Sequence, residues 1–102
     1  MSEPRERIEA DLQAARKAGD RARVATLGML LTAIDNERIR RGEAVDETAL
    51  ASLVQKAIKQ RKEAAEQYRQ GGSEDRAGRE EREAEILAAY LPEQVGEEEL
   101  RR

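Results

Sequence analysis

Apolar residues in this chain recur at intervals of three and four and nowhere alternate with a period of two, a spacing that admits helices and little else. Ile8, Leu12 and Ala15 make a first narrow stripe, and Val24, Leu27, Leu31 and Ile34 a second, widened by Leu30. Leu50, Leu53, Val54, Ala57 and Ile58 begin a third, which continues through Arg61, Ala64, Ala65 and Tyr68. Ala77, Ala84, Leu87 and Leu91 make a fourth, with Ile86 and Tyr90 beside them. The sequence has no Phe, Trp, Cys or His and only 2% aromatic residues. Its core must therefore come from Leu, Ile, Val and Ala, which helices tolerate well.

Local signals set the ends of four helices. The first is expected over roughly 3–18, with Ser2 as a possible N-cap, Pro4 tolerated in the first turn and Gly19 at the stop. Asp20 reads as the N-cap of a second helix that runs to about Arg41. Arg38, Arg40 and Arg41 favour the negative end of its dipole, and Gly42 supplies a left-handed stop. Gly28 inside this helix costs about 1 kcal/mol relative to Ala; a close helix crossing or mere chance would account for it. The third helix starts after Asp46 and runs to Gln70, about 37 Å at 1.5 Å per residue. Only its first half has a strong apolar face, so the second half either projects beyond the core or packs weakly. Gly71-Gly72 breaks it, Ser73 or Asp75 caps a fourth helix, Gly78 blurs that helix's first turn, and Pro92 ends it. Short links between amphipathic helices imply antiparallel neighbours, so the expected fold is an all-α bundle of about four helices. One domain over residues 1–92 is expected at this length. Gly96-Glu97-Glu98-Glu99-Leu100 reads as a further helix start that a single turn cannot sustain. Residues 93–102 therefore read as a linker and the beginning of a separate tail domain, in preference to a frayed end.

Composition narrows function mainly by exclusion. The absence of Cys removes disulfides and thiolate zinc sites, and the absence of His removes the commonest general base and metal ligand. No apolar run approaches the roughly 20 residues that span a bilayer, and the N-terminus lacks a signal-peptide core, so a cytoplasmic protein without membrane attachment is expected. Charged residues make up 40% of the chain and the net charge is −3, which supplies no overall attraction to nucleic acid. The distribution is uneven, however. Residues 56–69 carry Lys56, Lys59, Arg61, Lys62 and Arg69 against Glu63 and Glu66, whereas residues 74–99 carry ten acids against Arg76, Arg79 and Arg82. Such a pair of helices can complement one another or simply present solvated faces.

Three stretches, taken in order, have a counterpart among known proteins. They are Leu27-Gly28-Met29-Leu30-Leu31-Thr32-Ala33-Ile34-Asp35-Asn36-Glu37, Gln55-Lys56-Ala57-Ile58-Lys59-Gln60-Arg61-Lys62-Glu63, and Glu85-Ile86-Leu87-Ala88-Ala89-Tyr90-Leu91-Pro92-Glu93-Gln94. In sequence and separation they resemble the N-terminal helical domain of the YqeY family. Ser73 and Arg76 depart from that pattern at the start of the fourth helix. The family is similar to the helical and tail regions of the GatB subunit of the glutamine-dependent amidotransferase that corrects mischarged tRNA. The resemblance therefore implies a family label of carbon–nitrogen ligase activity with glutamine as amido-N-donor. It also implies a partner in tRNA or in a component of tRNA amidation or translation. The catalytic parts of that complex lie outside the region matched, and the tail beyond Gln94 is the part associated with tRNA.

The residues themselves supply no active site. Amide transfer needs a nucleophile and a site for ATP and magnesium. Ser2, Ser52, Ser73, Thr26, Thr32 and Thr48 have no His partner, and each is expected at a cap or on a helix surface. No phosphate-binding glycine loop is present, no cofactor is implied, and Glu80-Glu81-Glu83 reads as a solvated face rather than a metal site. A non-catalytic accessory or binding module is expected, the alternative being a protein-interaction bundle with no nucleic-acid role. Its candidate nucleic-acid contacts are Lys56, Lys59, Lys62 and Arg69, which would neutralise backbone phosphates, and Tyr68, which would stack on a base. Arg61, on the apolar stripe, is expected to pair with Glu81 or Glu85 and so set helix register.

Overall fold

The computed structural model describes residues 3–92, and these form four helices: α1 (Pro4–Ala18), α2 (Arg21–Arg41), α3 (Glu47–Gln70) and α4 (Glu74–Ala88). No strand occurs among the described residues. Asp20 and Asp46 cap α2 and α3 as their sequence positions imply, each carboxylate accepting from a backbone N–H three residues on, at Arg23 and Ala49. Gly19 and Gly42 end α1 and α2 with φ of 71° and 74°, where a Cβ would be strained. Ser2 lies outside the described residues, as does the helix start expected at 96–100. Glu3 occupies the N-cap of α1 and makes no side-chain cap bond. Ser73 rather than Asp75 occupies the N-cap of α4, likewise without a side-chain bond, so the first turn of that helix relies on Glu74 and Asp75 against its dipole. Helix α4 stops at Ala88, short of Leu91. The chain then tightens into turns in which Ala89, Tyr90 and Leu91 each donate to the carbonyl three residues back.

Two helical hairpins make the fold. Arg5 meets Asp35 across α1 and α2, and Arg69 meets Glu74 and Glu81 across α3 and α4, so each pair runs antiparallel. The core between the hairpins is formed by Ile8, Leu12, Leu27, Leu30, Ile34, Leu50, Val54, Ile86 and Leu87. Full burial of one such side chain contributes about 1.5–3 kcal/mol, so these few aliphatics dominate the stability. Val45, in the α2–α3 link, joins the same core; a lone apolar residue in a loop has no periodicity by which sequence could single it out.

Three expectations are narrowed or corrected. The second half of α3 does not project beyond the core: Ala65 packs there with Ala77 and Ala84 of α4 in the most extensive interhelical contact of the fold. Small side chains let the two backbones approach, so a weak apolar stripe still makes a tight seam. Gly28 marks no close crossing, because a Cβ built there meets nothing within 4 Å. Thr26 is not a surface residue. It is buried, and its hydroxyl donates to the Ala22 carbonyl at 2.8 Å.

Candidate functional site

Helix α3 places its cations on different sides of the molecule. Successive residues three apart rotate by about 60° around a helix, so Lys56 and Lys59 lie opposite Leu50, Val54 and Ala65, while Lys62 turns to the flank nearer α4. All three are exposed, and none makes a salt bridge to a described residue. The stretch from Thr48 to Lys62 contains no acid, so nothing on α3 itself neutralises Lys56 or Lys59 from the N-terminal side.

Arg69 stands apart from the lysines. Its guanidinium bonds Glu81 through both terminal nitrogens at 3.0 Å and Glu74 through Nε at 2.7 Å, which holds the Glu81 carboxyl below its usual range. Tyr68 has the Arg76 guanidinium 5.8 Å from its ring centroid, so one face of the ring is already occupied. Arg76, one of the two departures from the family pattern, thus has a local role against Tyr68.

Arg61 turns inward to the junction of three helices, with 17% of its side chain exposed. Its Nε lies 2.8 Å from Glu83 and 3.9 Å from Glu80, and a terminal nitrogen meets the Met29 sulfur of α2 at 3.4 Å. The Nε–H is not aligned on either oxygen, so the Glu83 contact is an ion pair rather than a hydrogen bond. The interhelical pairing is therefore present, but with Glu80 and Glu83 in place of Glu81 or Glu85. The α3–α4 seam has two flanks. Glu80 and Glu83 lie on the one that faces α2, whereas Glu81 and Glu85 line a groove on the other.

That groove, ≈ 960 Å³ in volume, has Ile58, Ala65, Ala84, Ala88 and Leu91 as its apolar lining and charged residues at its rim. A second feature ties the end of α4 to α1. The Tyr90 hydroxyl donates to Asp11 at 2.6 Å, and burial first, then that bond, pushes the phenol above its usual range. On the α1–α2 side, Arg5 holds Asp35, and Arg7 holds Glu47 of α3. Each hydrogen bond keeps its carboxyl below the usual range. No group of three or more acids close enough to hold a metal ion exists among the described residues. No described helix is long and apolar enough to cross a membrane.

The fold and its surface define a small all-helical module whose polar clusters are ion pairs, caps and solvated lysines. A family model described as Yqey-like protein matches residues 5–102, and the chain belongs to that family. Among its relatives is altered inheritance of mitochondria protein 41, mitochondrial, of Lachancea thermotolerans, 39% identical over 85 residues that cover 82% of this chain and 46% of that protein. The protein of the same name from Vanderwaltozyma polyspora is 33% identical over the same shares of the two chains. The chain thus spans about half the length of these relatives.

Proposed function

We propose that this chain is a non-catalytic accessory module of tRNA amidation or translation, which contacts RNA through the lysine face of α3. The observation that carries the reading is the placement of Lys56, Lys59 and Lys62: exposed, free of ion pairs to described residues, and projecting from an acid-free stretch. Cations in that state release counterions when they meet phosphates, and they retain every N–H for the new contact. Arg69 and Tyr68 join such an interface only by exchanging Glu74, Glu81 and Arg76 for RNA. The resemblance to the helical region of GatB supports the choice of tRNA. A tail following Pro92, with residues 93–102 as its beginning, belongs to this reading as a second RNA contact. So does action in the cytoplasm, although the names of the two relatives speak of mitochondria for those proteins.

Titration of labelled tRNA with the protein tests it. Binding is expected to weaken steeply as salt rises from ~50 to ~200 mM, and to be lost in Lys56→Glu/Lys59→Glu/Lys62→Glu. Absence of binding by the unaltered protein at the lowest salt refutes the reading.

The groove between α3 and α4 favours one alternative, a protein-interaction bundle. Its apolar lining and the carboxylates of Glu66 and Glu85, which pair with no described cation, suit an amphipathic partner helix edged with Lys or Arg. Under that alternative Ala88→Arg abolishes capture of a purified partner and Lys56→Glu/Lys59→Glu leaves it intact.

A further inference from the structure

The lysine face has a neighbour on another helix. Beside the link that joins α2 to α3, a cleft of ≈ 480 Å³ is lined by Arg40 and Arg41 from the last turn of α2 and by Thr48, Ser52 and Lys56 from α3. Thr48, Ser52 and Lys56 are spaced four residues apart, so two hydroxyls and an ammonium group follow one line along α3. The arginines face that line because α2 and α3 run antiparallel, as the Met29–Arg61 contact at the other end requires.

Glu37 lies among these cations with 19% of its side chain exposed. Its carboxylate takes two bonds from Arg40, at 3.1 and 2.6 Å, while Arg41 stands at 3.9 Å. Its carboxyl is held below the usual range first by the Arg40 hydrogen bond, then by the positive charges of Arg40, Arg41 and Lys56. Three cations from two helices therefore act on one point, and only one of them is hydrogen-bonded there. Arg41 makes only loose pairs, at 3.9 Å to Glu37 and 3.7 Å to Glu43. The other acid lining the cleft, Asp46, is engaged in capping α3. Arg40, at 71% side-chain exposure, can swing from Glu37 to an incoming anion without disturbing the core.

We infer that this cleft is a phosphate cradle, in which Arg40, Arg41 and Lys56 grip a backbone phosphate of RNA while the Thr48 and Ser52 hydroxyls donate to its oxygens. Glu37 holds the arginines in place in the free protein and is the group the phosphate displaces. The inference rests on the RNA reading above and extends the interface from one face of α3 to two helices. It adds a direction, because the RNA strand then runs from the α2–α3 cleft along α3 toward Lys62.

Affinity for labelled tRNA, measured by fluorescence anisotropy on the 102-residue chain across a salt series, tests the cradle. Arg40→Glu/Arg41→Glu is expected to weaken binding at least about tenfold and to lower the log–log salt slope by about 0.7, the value for one phosphate contact on a single strand. Should that variant lose its helical circular dichroism, Arg40→Gln/Arg41→Gln takes its place with the same slope change. Thr48→Val/Ser52→Ala is expected to weaken binding a few-fold with no change in slope, because hydroxyls bond phosphate without releasing counterions. Glu37→Gln, which removes the competing carboxylate, is expected to tighten binding about two- to threefold. If the arginine variants bind as the unaltered protein does while Lys59→Glu/Lys62→Glu loses affinity, the cradle is overturned and the lysine face stands. If the unaltered protein binds no tRNA at low salt, both fall together.

Discussion

The two halves of α3 are held in place by different physics. From Glu47 to Ile58 the helix is anchored by Leu50 and Val54, both essentially inaccessible and packed with Ile8, Leu27 and Leu87 in the common core. From Lys59 to Gln70 the only buried side chain is Ala65, and the helix is held by the close α4 seam and by Arg61 and Arg69 reaching to the α4 carboxylates. The first half obtains its stability from desolvation of large side chains. The second obtains its position from backbone proximity and charge, which individually contribute less. The lysine face crosses the boundary between them, so it sits on a helix whose two ends are held by different forces.

That contrast can be broken at its strongest point first. Leu50→Ala removes a fully buried side chain and is expected to cost about 2–5 kcal/mol, read as a lower urea midpoint with an unchanged m value. In the second half no side chain is large enough for such a loss, so the corresponding insult is overfilling. Ala65→Leu is expected to cost about 1–3 kcal/mol by forcing α3 and α4 apart, and amide exchange should quicken at Ala77 and Ala84 before it does at Leu27. If exchange instead quickens uniformly, the two halves are one cooperative unit.

Arg61 sharpens the comparison, since its charge is placed near the core at the junction of three helices. Arg61→Met keeps most of the side-chain bulk while removing the cation from Glu80 and Glu83, and is expected to cost about 1 kcal/mol in chemical denaturation, because those carboxylates lie near enough to solvent to rehydrate. Arg61→Ala removes the cation and the bulk together, and should be the more harmful of the two. Equal losses would show that charge compensation rather than packing is what Arg61 supplies. Arg69→Ala is expected to have the smallest effect, within ~1 kcal/mol, because its pairs are largely exposed. Its signature is in the pH profile. Glu81 has a depressed folded pKa, so its contribution is complete above the unfolded carboxyl value of about 4.3 and disappears as pH falls through the folded value. Arg69→Ala should therefore lower stability slightly in the neutral region and converge with the unaltered protein as pH falls, which flattens the acid limb of a thermal-denaturation series.

How far the sequence could be read depended on whether a signal was local. Helix starts at Asp20 and Asp46 and stops at Gly19 and Gly42 were legible because a cap or a left-handed glycine acts within a few residues of itself. The family was legible because three motifs kept their order and separation. The candidate lysines were legible as charges, and their solvent-facing positions follow from their phase relative to Leu50 and Val54. The partners of Arg61 and Arg69 were not, because Glu80, Glu81, Glu83 and Glu85 all lie within two turns of α4. Which flank of the seam each one faces depends on the rotation of α4 against α3. The cleft joining Arg40 and Arg41 to Lys56 was equally hidden, since it exists only through the approach of two helices.

Apolar phase, capping residues and the aliphatic-only core were enough for the sequence by itself to determine four helices and an all-α bundle, since each acts along the chain or through burial in general. Tertiary structure alone decided that a poorly apolar half-helix packs tightly, that Thr26 and Val45 are buried, and which cations remain without acids. The physical reason is that a helix's own pattern fixes which face turns inward, whereas ion pairing and clefts depend on the distance and rotation between two helices. Those are set by the fit of Ala65, Ala77 and Ala84, small residues that leave little mark on a hydrophobic profile.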